Sequence, residues 1–98
     1  VTDDANSFWW LSFADDDGFR GVVIVEASSF MDAVMMTHVF GINPGGEARG
    51  WEVPERELHK IPEHHVGRLL SIEELRAHKP YDVVTVSEME RQDRELMN

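Results

Sequence analysis

The chain has 98 residues, no cysteine, and 19 acidic against 9 basic side chains, a formal charge of −10. That length suits one small domain and excludes two separate cores. The charge argues against a nonspecific grip on a phosphate backbone, and the lack of cysteine excludes disulfides, thiolate metal sites and cysteine nucleophiles. With 42% apolar and 29% charged residues, the balance is that of a globular chain rather than a disordered one.

The acid is concentrated at the ends. Residues 1–18 carry five Asp and no Lys or Arg, and residues 81–98 carry five acids against two Arg, whereas the stretch 19–80 is close to neutral. A single domain over 1–98 is expected, with a core at about 8–80 and residues 81–98 as a C-terminal extension. The longest apolar run, Val22 to Val25, is far short of the roughly 20 residues that span a bilayer. The opening Thr2-Asp3-Asp4 also lacks the basic start of a signal peptide. A cytoplasmic protein without a membrane or direct nucleic-acid partner is expected.

Residues 8–13 are short, aromatic and apolar, bounded by Asn6-Ser7 and by Asp15-Asp16-Asp17-Gly18, which predicts a strand. Asp17-Gly18 offers the positive φ that a tight turn needs, and the β-branched run 19–26 completes a hairpin. Val22, Val23, Ile24 and Val25 do not alternate with polar residues, so the second strand is central and covered on both faces, one of them by a helix. Because adjacent strand residues face opposite sides, Trp9 and Trp10 separate. One faces the helix and the other a surface, a partner or a ligand.

Ser29-Phe30-Met31-Asp32 reads as a capping box that opens the helix. Met31, Val34, Met35, His38 and Val39, at i, i+3, i+4, i+7 and i+8, predict its apolar stripe. Gly41, with Pro44 beyond, predicts its end near Phe40. A tight loop at 42–47 and a third strand at 48–53 follow, stopping at Pro54. Residues 55–60 and Pro62-Glu63-His64-His65 predict short irregular helical turns, Pro62 suiting a first helical position. Ser71-Ile72-Glu73-Glu74 is a second capping box, for a helix that ends by Lys79 because Pro80 follows. Residues 81–86 are strand-like, and Ser87 with Glu90 opens a polar last helix.

The expected fold is α+β: a small, mostly antiparallel sheet of three or four strands with one main helix packed on a face, and short helices in the C-terminal half. Three Trp, five Phe, one Tyr and five Met exceed what one helix can cover, so a homo-oligomer is expected.

Residues 41–46 are the leading candidate for chemistry. Gly45-Gly46 lets successive backbone N–H groups converge on an anion and lets a ligand approach the main chain. The plainer alternative is that Gly41 caps the helix and Pro44-Gly45-Gly46 merely turns the chain. The loop follows a helix, whose nearby end is negative, and no Gly-Lys-Ser/Thr follows, so it is not a P-loop. Trp51, six residues past Gly45, can stack on a planar ligand, with Arg49 or Arg20 for a phosphate. The alternative for the aromatic set is core packing plus a dimer seam. The candidate ligand-binding residues are therefore Asn43, Gly45, Gly46, Arg49, Trp51 and Arg20.

Asp15-Asp16-Asp17 invites a hard cation but lacks the EF-hand spacing and reads as an acidic hairpin tip in solvent. His59, His64, His65 and His78 show no His-Glu-x-x-His spacing on a regular helix, and no metal is expected. His38 reads as a hydrogen-bonded, partly buried residue rather than a base. With no Gly-x-Ser-x-Gly elbow and no carboxylate pair, neither catalysis nor a cofactor is expected.

On Trp10-Leu11-Ser12-Phe13, residues 19–27 and Gly41-Ile42-Asn43-Pro44-Gly45-Gly46-Glu47, the chain resembles a family of small uncharacterised proteins from phages and actinobacterial genomes with an Asn-Pro-Gly-Gly loop. The similarity covers about residues 8–76, including Leu69-Leu70-Ser71 through Leu75. The resemblance implies a small accessory protein, in the host cytosol if phage-encoded, and names no activity. The leading expectation is a noncatalytic binder that sequesters a nucleotide-like host signalling molecule, an anti-defence sponge. In it Asn43, Gly45 and Gly46 contact phosphate or ribose, Arg49 neutralises charge and Trp51 stacks. The alternative is an acidic protein that binds and inhibits a host protein, as a nucleic-acid mimic, through Asp3, Asp4, Asp15, Asp16, Asp17, Glu88, Glu90, Asp93 and Glu95.

Overall fold

The computed structural model describes residues 6–81. β1 (Ser7–Asp15) and β2 (Gly18–Ala27) form the expected hairpin, turning through Asp16 and Asp17 into Gly18 at φ +121°. Trp10 pairs with Ile24 and Leu11 with Val23. A bulge then shifts the register, because Phe13 pairs with Gly21 and Ala14 with Phe19, leaving Arg20 as the extra residue. β3 (Glu47–Glu52) runs antiparallel to β1 on the other side. β4 (Leu69–Leu70) runs antiparallel to β2, giving a four-stranded sheet in the order β3-β1-β2-β4. β4 was not foreseen as a strand, since two residues are too short to show a period.

Both faces of the hairpin are covered, as the unbroken run Val22 to Val25 implies. One face carries Leu11, Phe13, Val23, Val25 and Ala27, closed by α1 (Phe30–Val39) through Ala33. The other carries Trp10, Val22 and Ile24, closed by Val53, Leu70, Leu75 and Tyr81 from the second half of the chain. Val53 follows β3, Leu70 lies in β4, Leu75 in α2 (Ile72–Ala77) and Tyr81 beyond it, while Leu58 from the first of two 3₁₀ turns, Glu55–Lys60 and Glu63–His65, packs against them. α2 opens with the complete capping box foreseen at Ser71 and Glu74, whose side chains and backbone bond reciprocally.

α1 departs from expectation in orientation. Ser29 caps it by accepting from the Asp32 N–H at 3.0 Å, but the Asp32 carboxylate accepts from the Ser28 N–H and hydroxyl instead of closing a box on Ser29. Its buried residues are Ala33 and Thr37. Of the predicted stripe only Val34 packs on the core, while Met31, Met35 and Val39 are exposed by 75, 60 and 69%, and His38 is exposed too. The sheet beneath already presents Trp9, Leu11, Phe13, Val23 and Val25, so only small side chains let the helix approach closely. The Thr37 hydroxyl donates to the Val34 carbonyl, which makes its burial tolerable. The helix stops where expected, with Phe40 as C-cap and Gly41 in the left-handed region at φ +69°.

Trp9 and Trp10 do separate. Trp9 lies edge-on to Phe30 of α1 and donates to the Ala27 carbonyl at 3.1 Å. Trp10 does not reach the surface: it is 6% exposed, the centre of the second core layer. Of the strand-like run at 81–86 only Tyr81 is described, at a bend, and residues 82–86 and the polar last helix lie outside the described residues.

Candidate functional site

β3 is extended, so alternate residues share a face. Trp51 stands opposite Trp10 and Arg49 opposite Ser12, which puts Arg49 and Trp51 on the second-layer side of the sheet. The Trp51 ring stacks on Trp10 with centroids 5.9 Å apart and planes 17° from parallel. Tyr81 meets Trp10 edge-on at 5.2 Å. These three rings, with Val53, Pro54 and Lys60, line a recess of about 100 Å³. Trp51 remains 45% exposed at its rim. The recess admits the edge of a planar ring rather than a whole drug-sized ligand, which needs several hundred Å³ (about 300 or more).

Polar groups are few and specific here. The indole N–H of Trp10 is buried with no acceptor among the described residues. Lys60 Nζ sits 2.6 Å from Glu57, and that contact holds the Glu57 carboxyl below its usual range. Behind the recess Tyr81 is hydrogen-bonded to His65 Nδ1 at 2.7 Å, and burial pushes its phenol up to about 12. His65 packs against His64 and His78 with centroids 4.6 and 5.2 Å away. No three carboxylate or imidazole groups among the described residues are disposed to hold a metal ion.

The other sequence-selected residues lie at the far end of β3. Along an extended strand, the step from Gly46 to Trp51 spans roughly 16 Å. Asn43 is engaged inside its own loop: its amide donates to Thr37 Oγ1 at 2.9 Å, lies 3.3 Å from His38 Nε2, and its carbonyl accepts the Gly45 N–H at 2.8 Å. Gly46 has φ +86°, and a Cβ there would stand 2.5 Å from the Ala14 carbonyl oxygen. Gly46 therefore lets the loop close against the end of β1.

A second, open recess adjoins that end, lined by Ala14, Asp15, Asp16, Asp17 and Glu47. Arg20, from the bulge, is held there by Asp15 at 2.7 Å and Asp17 at 3.5 Å. Its hydrogen bond keeps the Asp15 carboxyl below the ordinary range. Arg49 contacts Glu47 at 3.4 Å, both more than half exposed, a pair worth little in water.

Of the six candidates, then, Arg49 and Trp51 share one face near the aromatic recess, while Asn43, Gly45, Gly46 and Arg20 gather at the carboxylate-rich end. The sequence reading missed Tyr81, Pro54 and Lys60 as recess walls. The prolines at 54, 62 and 80 were the available signal, because they break the chain into short turns able to wrap an aromatic pair. No described helix is long and apolar enough to cross a membrane. Comparison of the chain with family models, curated proteins and solved structures finds no match.

Proposed function

We propose that the protein is a noncatalytic binder of a planar, anionic, nucleotide-like molecule, which it withholds from a host signalling pathway. The observation that carries this reading is the half-exposed Trp51 ring stacked on a buried Trp10 beside an apolar recess, with Arg49 two residues away on the same face. A base stacks on the outer face of Trp51 with its edge in the recess, an arrangement that gains about 1–3 kcal/mol per base. Arg49, bound only weakly to Glu47, exchanges that partner for a phosphate through a bidentate charge-assisted contact. The carboxylates near Gly46 repel a phosphate, so this reading centres the ligand on Trp51 and Arg49 and makes the glycine loop its periphery.

The test is calorimetric titration of the full chain with cyclic and ADP-ribose-type nucleotides. Binding that weakens at least about tenfold in both Trp51→Ala and Arg49→Ala, with the circular dichroism unchanged, supports the reading. Silence across the panel sinks it.

A second reading, an acidic protein that blocks a host protein, draws on the open recess bounded by Asp15, Asp16, Asp17 and Glu47. Asp3, Asp4, Glu88, Glu90, Asp93 and Glu95 lie outside the described residues. Pull-down from host extract at rising salt tests it: capture should fall steeply with ionic strength and weaken when the three Asp become Asn. Capture indifferent to both removes this alternative.

A further inference from the structure

α1 is turned inside out relative to an ordinary amphipathic helix. It buries its small residues, Ala33 and Thr37, and leaves Met31, Met35, Val39 and the capping Phe40 exposed by 75, 60, 69 and 55%. Met31, Met35 and Val39 recur at i, i+4 and i+8, a continuous strip roughly 12 Å long at 1.5 Å per residue. Isolated exposed apolar residues are ordinary, but a contiguous strip on one element marks a contact surface.

We propose that this strip docks a second copy of the chain, helix against helix, antiparallel about a two-fold axis passing beside Met35. The symmetry is written in the spacing, because a two-fold at Met35 brings Met31 of one copy level with Val39 of the other and sets the two Met35 side chains across the axis. Charge points to the same occupant. The helix carries one acid, Asp32, in its first turn and one base, His38, in its last. Antiparallel packing sets each acidic first turn alongside the other copy's basic last turn and opposes the two helix dipoles.

Between Ala27 and Gly46 there is no other acid and no Lys or Arg, in a chain whose formal charge is −10. A basic partner would be drawn to the acidic hairpin tip. An identical acidic chain meets little formal charge along α1 itself. One ten-residue helix per copy is a small patch, below the roughly 1,200 Å² of total buried area typical of tight interfaces, so the dimer is concentration-dependent.

Sedimentation of the full chain across about 1–500 µM tests this. The weight-average mass should rise from 11.2 kDa toward twice that value. Met35→Lys puts two like charges across the axis at an exposed position and should raise the dissociation constant at least about tenfold without altering the circular dichroism. Because the chain has no cysteine, Met35→Cys with a short bismaleimide should cross-link efficiently, and a cysteine at exposed Asp16 should not. A monomer at every concentration overturns the proposal. So does a dimer that tolerates Met35→Lys and resists cross-linking at Met35, or a different protein seated on the strip while the chain itself stays monomeric. None of these results depends on ligand binding at Trp51.

Discussion

Trp51 stacks on Trp10 across the β1–β3 pair, centroids 5.9 Å apart, yet the two rings have different surroundings: Trp10 is 6% exposed and Trp51 45%. The inner ring therefore holds the second core layer and the outer one offers a face to solvent. Trp10→Ala should cost about 3–5 kcal/mol, since it removes the residue on which Trp51 and Tyr81 both rest. Trp51→Ala should cost only about 1 kcal/mol, the worth of an aromatic pair at a half-exposed site. Urea unfolding of the two variants measures both; equal losses would show that Trp51 is a core residue after all.

Stability should fall on acidification because of His65. Burial, then the neighbouring His64, His78 and Arg68, holds its pKa below the ordinary value, and Glu74 opposes this less strongly. The unfolded chain then binds the proton first, so the stability is complete above an ordinary imidazole pKa of about 6.5 and is lost as pH falls through the lowered folded value. Unfolding midpoints at pH 8 and pH 5 (about one and a half units either side of an ordinary imidazole) should differ for the natural chain. In His65→Phe they should lie closer together. A variant that keeps the full pH difference would place its origin elsewhere.

Gly45 and Gly46 should respond unequally to alanine. Both have positive φ, at +90° and +86°, but a Cβ at Gly45 meets open space, while one at Gly46 meets the Ala14 carbonyl oxygen at 2.5 Å. Gly45→Ala should cost about 1 kcal/mol of backbone strain. Gly46→Ala should cost about 2–3 kcal/mol, because the end of β1 must move as well. Thermal melts of the pair check this, and similar melting temperatures would mean that the loop shifts freely as a unit.

Ser71→Ala should destabilise by about 1 kcal/mol, the usual worth of an N-cap. In α2, Ser71 accepts from the Glu74 N–H at 3.2 Å, while the Glu74 carboxylate accepts from the Ser71 N–H at 3.1 Å and stays below its usual pKa. Glu74→Gln retains an acceptor and should lose less. Denaturant midpoints of the two variants decide, with the reverse ranking counting against the capping account.

The local features were open to reading from the sequence because their causes are local. Asp17-Gly18 places a turn between two apolar runs, Ser29 and Ser71 offer hydroxyls to first-turn N–H groups, and Gly41 accepts the left-handed conformation that ends α1. Val22 to Val25, without a polar residue among them, required cover on both faces and received it.

The acid excess noted at the outset is likewise a property of the sequence alone, but its consequence is not. Asp15 and Asp17 turned out to hold Arg20, and with Glu47 they bound the open recess beside Gly46. The orientation of α1 was decided by tertiary packing, since a 3.6-residue period marks an apolar stripe without saying whether the sheet has room for it. Crowded by Phe13, Leu11 and Trp9, the sheet took Ala33 and Thr37 and left the methionines outside. The aromatic recess is tertiary in the same sense. Trp10, Trp51, Lys60 and Tyr81 come from segments far apart in the chain, and only strand register and two 3₁₀ turns bring them together.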